Sequence, residues 1–201
     1  SDMKKQIVVI HGGDTFKTYE DYLKYLLQSE ITLERLFRKD WKSTLHDALA
    51  DFEIISPEMP NKRNAKYLEW KIWFEKILPL LGDEVVFIGH SLGGIFLAKY
   101  LSEHAVSKSI RATHLVAAPF DNVNPAESLE DFRLPDDLRK FAEQGGDIFL
   151  YHSKDDKVVP FENLEKYRAQ LPAARVVEFE DREHFNQKEF PEIIRNIRAA
   201  A

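Results

Sequence analysis

The stretch Glu84-Val-Val-Phe-Ile88 runs straight into Gly89-His90-Ser91-Leu92-Gly93, and Leu92 to Leu101 then reads as a helix. The first part is a short apolar run on consecutive residues, the pattern of a strand covered on both faces within a parallel sheet. A serine on a tight strand-to-helix turn is forced into strained backbone angles that push its hydroxyl out of the sheet. Glycines on either side remove the Cβ atoms that would strike the neighbouring strand and helix. The following helix presents its N-terminus, where free N–H groups stabilise developing negative charge. By itself, Gly-x-Ser-x-Gly arises by chance in roughly one chain of this length in fifteen. The flanking strand and helix therefore carry the weight of the reading. The alternative is that Ser91 is a helix cap and the glycines are simple turn residues.

Five more compact apolar runs surround this one: Gln6-Ile-Val-Val-Ile10, Phe52-Glu-Ile-Ile55, Thr113-His-Leu-Val-Ala117, Asp147-Ile-Phe-Leu-Tyr151 and Arg175-Val-Val-Glu-Phe179. Helical periodicity lies between them. Tyr67, Trp70, Phe74, Ile77 and Leu81 recur at three- and four-residue steps, and Trp41, Leu45 and Leu49 make a second stripe. Phe161 to Leu171 and Phe190 to Ile197 follow the fifth and sixth runs. Such alternation predicts an α/β fold, a three-layer sandwich with a mostly parallel sheet of about six strands and helices on both faces. Two segments interrupt it. Residues 12–40 contain the amphipathic stretch Tyr19 to Leu27, and residues 118–135 are rich in Pro, Asn and Asp. In an open α/β sheet, excursions of this kind are expected to rim the ligand crevice.

At 201 residues, residues 3–201 are expected to form a single domain without a separate cap, and Ser1-Asp2 before Met3 reads as an expression remnant. The chain is 44% hydrophobic and 31% charged, ordinary values for a packed globular protein. A formal charge of −6 argues against a nucleic-acid groove, which needs a basic stripe. There is no cysteine, so disulfides, thiolate catalysis and cysteine-ligated zinc are excluded, and a reducing, cytoplasmic setting is the expectation. No apolar run reaches the ~18 residues of a membrane helix, and no membrane partner is expected.

Three further motifs sit at strand ends. Ile10-His-Gly-Gly-Asp14 could offer backbone N–H groups to an oxyanion, with Leu92 supplying the other half of the hole, or could be a tight turn with a structural His11. Ser153-Lys-Asp-Asp-Lys-Val-Val-Pro160 places acids where a crevice opens, or forms a solvated turn. His184 stands out among seven histidines because it follows the last strand and precedes the last helix. The serine, acid and histidine thus run in the chain order that this kind of fold uses. No dinucleotide or P-loop glycine pattern follows any strand.

Taken together, these motifs resemble the α/β-hydrolase superfamily, and most closely the small lidless serine hydrolases of the retinoblastoma-binding protein 9 type. The resemblance rests on Ile10-His-Gly-Gly13, Trp41 with its helix, Ile88-Gly-His-Ser-Leu-Gly-Gly94, Ser153 to Pro160 and His184-Phe185. It implies Ser91 as nucleophile and His184 as base. The family's acid lies four residues before the Val-Pro proline, which selects Asp156 over Asp155. The residue after the His-Gly pair gives an oxyanion N–H, which selects Gly13, with Asp14 as a substitute. The implied reaction is acyl transfer from a small-molecule ester, thioester or amide to water, with no metal and no cofactor. An aminopeptidase-like activity is the enzymatic runner-up, and a binding module that keeps the fold without turnover is the non-enzymatic one.

Overall fold

In the computed structural model, residues 4–121 and 128–200 are described; Ser1 and Asp2 lie outside them. Six strands, β1 (Lys5–Ile10), β2 (Phe52–Ile55), β3 (Val85–His90), β4 (Ile110–Val116), β5 (Asp147–Ser153) and β6 (Arg175–Phe179), form one sheet in the order β2-β1-β3-β4-β5-β6. Every neighbouring pair is parallel. β3 sits near the centre and is buried along its whole length, as its unbroken apolar run requires.

Side-chain alternation along the strands divides the interior into two cores. Val8, Ile10 and Phe87 face one side, where they meet Trp70 and Phe74 of α4 (Tyr67–Ile77), Phe96 of α5 (Leu92–Glu103) and Tyr167 of α7 (Glu162–Gln170). Ile7, Val9, Val86 and Ile88 face the other, against Trp41, Leu45 of α3 (Leu45–Ala48), and Ile193 and Ile197 of α8 (Pro191–Ala199). The result is a compact three-layer α/β/α domain. Each fully buried aliphatic or aromatic side chain contributes roughly 1.5–3 kcal/mol, so both faces of the sheet are strongly held.

Several boundaries differ from the sequence reading. β4 starts at Ile110, pairing with Val85, three residues before the apolar run suggests; the polar Arg111 hides that part of the strand. The Trp41 stripe forms a 3-10 turn, Trp41–Thr44, before α3, yet Trp41, Leu45 and Leu49 are all buried as the stripe demands. α4 gives way to a 3-10 turn at Leu78–Leu80, where Pro79 cannot continue the α-helical bonding. A short helix α6 (Arg139–Gln144), carrying buried Phe141, was not legible in the pattern.

The two excursions take definite forms. Residues 12–40 carry α1 (Tyr19–Gln28) and α2 (Leu33–Phe37), whose first turns are capped by the hydroxyls of Thr18 and Thr32. Neither helix has a buried residue, and Phe16 anchors α1 through ring contacts with Tyr22 and Tyr25. In the second excursion, residues 122–127 lie outside the described residues. The part that follows buries Leu129 and Phe132, and Ser128 accepts a hydrogen bond from Thr15. Among the described residues no helix is long and apolar enough to cross a membrane.

Candidate active site

Ser91 occupies the turn between β3 and α5 with φ 56° and ψ −119°, a region that costs a non-glycine residue of order 1–3 kcal/mol. The turn exists because its flanks have no side chains. A Cβ on Gly89 would meet the backbone of Gly93, and one on Gly93 would land on the carbonyl oxygens of Ile10 and His11. Ser91 N–H donates to the Val116 carbonyl at 2.8 Å, which fastens the turn to β4. The Ser91 hydroxyl therefore stands at the carboxyl end of the central strand, in a cavity of about 540 Å³.

His184 lies on the turn after β6. Its Nε2 is 2.9 Å from Ser91 Oγ, and its Nδ1 is 2.8 Å from Asp156 Oδ2. The Asp156 side chain is wholly buried. Its other oxygen accepts from the backbone N–H groups of Val158 and Val159, both at 2.8 Å. Asp155 points elsewhere: it accepts from the Ser153 hydroxyl at 2.6 Å and from Glu183 N–H at 2.8 Å. The two adjacent acids thus divide the work. Asp156 faces the imidazole and Asp155 ties down the turn that carries it.

The histidine turn is costly to form, since Glu183 and Phe185, on either side of His184, both have positive φ (51° and 59°). It is held by a clamp that spans most of the chain. Trp41 Nε1–H donates to the Phe185 carbonyl at 2.9 Å, and Trp41 N–H donates to that of Gln187 at 2.8 Å. His90 Nε2–H donates to the His184 carbonyl at 2.8 Å, while His90 Nδ1 accepts from Lys42 at 2.5 Å. Lys42 is in turn paired with Asp40 at 2.6 Å. Burial holds His90 well below the usual imidazole range, so it stays neutral in the tautomer that this chain of bonds requires. Sequence reading missed the clamp. Trp41 and the x position of Gly-x-Ser-x-Gly, His90, were its visible members, and nothing local linked either to the histidine turn or to Lys42.

The first-strand turn lies against the serine. A Cβ on Gly12 would come to 3.4 Å from Ser91 Cβ. One on Gly13 would come to 2.6 Å from the Lys62 carbonyl oxygen and 3.2 Å from Leu92 Cδ2, so only glycine fits there. Gly13 and Leu92 both line the cavity beside Ser91. Asp14 is corrected as the substitute oxyanion donor, because its N–H already donates to the Lys62 carbonyl at 2.8 Å. His11 takes the structural role: Nδ1 lies 2.6 Å from the Gly12 carbonyl, Nε2 accepts from Met59 N–H, and burial lowers its pKa. From the two excursions, Tyr25, Pro119 and Leu129 reach the cavity wall, which puts both at the site's rim. Among the described residues no cluster of His, Asp and Glu side chains is arranged to hold a metal ion.

Comparison with known proteins bears on the family and the fold. The model of a family described as serine hydrolase matches residues 37–193. A curated relative, serine hydrolase RBBP9 of Rattus norvegicus, is 26% identical over 153 residues, covering 76% of this chain and 80% of the relative. Among solved structures, the ydeN gene product from B. subtilis superposes with a TM-score of 0.74 at 19% identity, covering 98% of both chains. A hydrolase of 2-hydroxy-6-oxo-6-phenylhexa-2,4-dienoate from Rhodococcus sp. strain RHA1 superposes with a TM-score of 0.66 at 12% identity, covering 98% of this chain and 90% of that one. A structure described among carboxylesterases of Nitrososphaera gargenis gives 0.63 at 14% identity, covering 99% and 91%. At these identities the solved structures speak for the α/β-hydrolase fold.

Proposed function

The chain belongs to the serine hydrolase family, and from that premise we propose that it cleaves small esters through a Ser91–His184–Asp156 triad and an acyl-enzyme intermediate. The observation that carries the proposal is the continuous relay from Ser91 Oγ to His184 to buried Asp156, at 2.9 and 2.8 Å, opening into a cavity. In the first half-reaction His184 Nε2 takes the hydroxyl proton as Ser91 Oγ attacks the carbonyl carbon. Asp156 keeps Nδ1 protonated and stabilises the imidazolium that forms. The oxyanion is received by N–H groups of Leu92, at the start of α5, and Gly13, where one lost donor typically costs about 2.7–4 kcal/mol. His184 then returns the proton to the leaving alcohol oxygen. In the second half-reaction water repeats the cycle against the Ser91 ester, releasing the acid and restoring the serine. Esters are favoured over amides because an alcohol leaves with less help than an amine. A solved structure described among carboxylesterases shares the fold, which agrees with this choice.

The test is labelling by a fluorophosphonate probe, with Ser91→Ala beside the native protein. Labelling of the native protein alone is expected. A folded native protein that does not label would replace this reading with that of a binding module.

A further inference from the structure

The walls of the cavity are unequal on the two sides of Ser91. Among the described residues they are apolar on the β4–β5 side: Pro119 and Leu129 follow β4, and Val158 and Val159 follow β5. On the β1–β2 side they are charged. Lys42 precedes β2, while Lys62 and Arg63 follow it. Because the strand order is β2-β1-β3-β4-β5-β6, Ser91 at the end of β3 stands between the two halves.

The cations are held in place. Lys62 and Arg63 lie in a 3-10 turn that is docked on the first-strand turn: Asp14 N–H donates to the Lys62 carbonyl and Ala65 N–H to that of Asp14, at 2.8 and 2.9 Å. Trp70 Nε1–H also fixes the Pro60 carbonyl at 2.8 Å, just before them. The charges converge on one space, since Lys62 and Lys42 both disfavour protonation of His11, and Lys62 also disfavours the charge on Lys42. Among the described residues two carboxylates, Asp14 and Asp40, share the wall, and Asp40 is engaged by Lys42. Among the described residues neither Lys62 nor Arg63 has a carboxylate within ion-pair distance. Among the described residues, three cations against two carboxylates make a positive wall in a chain of formal charge −6. A like-charged cluster kept at a cavity mouth raises the local concentration of anions and orients them.

Resting on the hydrolase reading above, we infer that the preferred substrate is an ester with an apolar half and a half that carries a carboxylate, the carboxylate being received by Lys62 and Arg63. The apolar half lies along Pro119, Leu129 and Val159. A neutral ester of the same length lacks the second contact.

The experiment compares two isosteric probes, mono-p-nitrophenyl glutarate and p-nitrophenyl valerate, on native protein and on the Lys62→Ala/Arg63→Ala double variant. Both residues are exposed, so the variant is expected to fold. Rim charges of this kind are worth a factor of about two to five each. The kcat/KM ratio of glutarate to valerate is therefore expected to be at least about fivefold in the native protein at low salt. It should fall toward one in the double variant, and in the native protein as ionic strength rises. A ratio of one or below in the native protein, or a ratio that the double substitution leaves unmoved, overturns the inference. Fluorophosphonate labelling separates the two readings: labelling without glutarate preference removes this inference alone. If the protein neither labels nor turns over, calorimetric binding of the two probes to Ser91→Ala decides the anion site independently. Equal affinities would then overturn it.

Discussion

Asp156→Asn separates orientation of the base from packing. Asp156 accepts three hydrogen bonds, two from backbone N–H groups on one oxygen and one from His184 on the other. Asparagine can keep its oxygen on Val158 and Val159, and its NH2 group then faces His184 Nδ1. An amide donor at that point makes Nδ1 the acceptor, so the proton moves to Nε2. Nε2 can then no longer accept from Ser91 Oγ, 2.9 Å away. In a triad of this type the wrong tautomer costs about four orders of magnitude in kcat, or about 5.5 kcal/mol of activation free energy. The fold loses far less, since volume and the backbone bonds are kept, and about 1–2 kcal/mol covers the weaker neutral hydrogen bonds. Asp155→Asn is the control, because Asp155 bonds Ser153 and Glu183 and does not meet His184. The assay is the second-order rate of fluorophosphonate labelling and ester kcat/KM, with thermal unfolding alongside. Asp156→Asn should lose about 10⁴-fold with a near-native melting curve, and Asp155→Asn less than about tenfold. Equal losses for the two variants, or a loss below tenfold for Asp156→Asn in a folded protein, would refute the assignment of the acid.

Other perturbations test the supports of the site. Ser91→Gly should be more stable than Ser91→Ala by about 1 kcal/mol in chemical unfolding, because only glycine relieves the φ of 56°; equal stabilities would mean the turn is unstrained. Trp41→Phe leaves the Phe185 carbonyl without its indole donor. It should cost about 1–3 kcal/mol in unfolding and slow probe labelling by about one to two orders of magnitude through a loosened histidine turn. Unchanged labelling would show that the clamp does not position His184. His114 lies buried between strands against Phe149 and Tyr151, and burial alone pushes its pKa down to about 3. Between pH 6.5 and 3 the unfolded chain therefore binds a proton that the native fold does not. The stability associated with His114 is full above pH 6.5 and is lost as pH falls, at about 1.4 kcal/mol per unit. His114→Gln should shrink the difference in unfolding free energy between pH 7 and pH 5 by about 2 kcal/mol, and an unchanged difference would refute the burial argument.

The parts of this molecule that could be read from sequence are those whose cause is local. The serine turn is a steric device five residues long, and its two glycines are needed because the backbone atoms around them leave no room for Cβ. Likewise each strand appears as an apolar run because both faces of the sheet are covered. Where neighbours in sequence differ only by fold context, the pattern is silent. Asp155 and Asp156 sit in one acidic turn, and residue type alone could not say which one faces His184; only the resemblance to a family chose. Glu183 and Phe185 adopt positive φ without the glycine that usually marks it, so the strain of the histidine turn left no trace in composition.

The same distinction explains why the charged half of the cavity was illegible. Lys42 and Lys62 come from two separate connections and His90 from the end of β3, and they share a space only because β2 and β1 lie beside β3. The Trp41 to Phe185 bond closes a separation of 144 residues. Strand–helix alternation predicts that a parallel sheet exists, but it leaves the strand order open, and the order decides which loops meet over Ser91. Each loop carries its own meaning only after that order is known: the Trp41 turn becomes the clamp on the histidine, and the Lys62 turn becomes a fixed cationic wall. A local motif therefore specifies the nucleophile we propose, whereas the non-local order of strands specifies what can approach it. Chemistry can be legible in such a chain while selectivity is not, and for that reason the paired ester probes ask a question that labelling of Ser91 cannot answer.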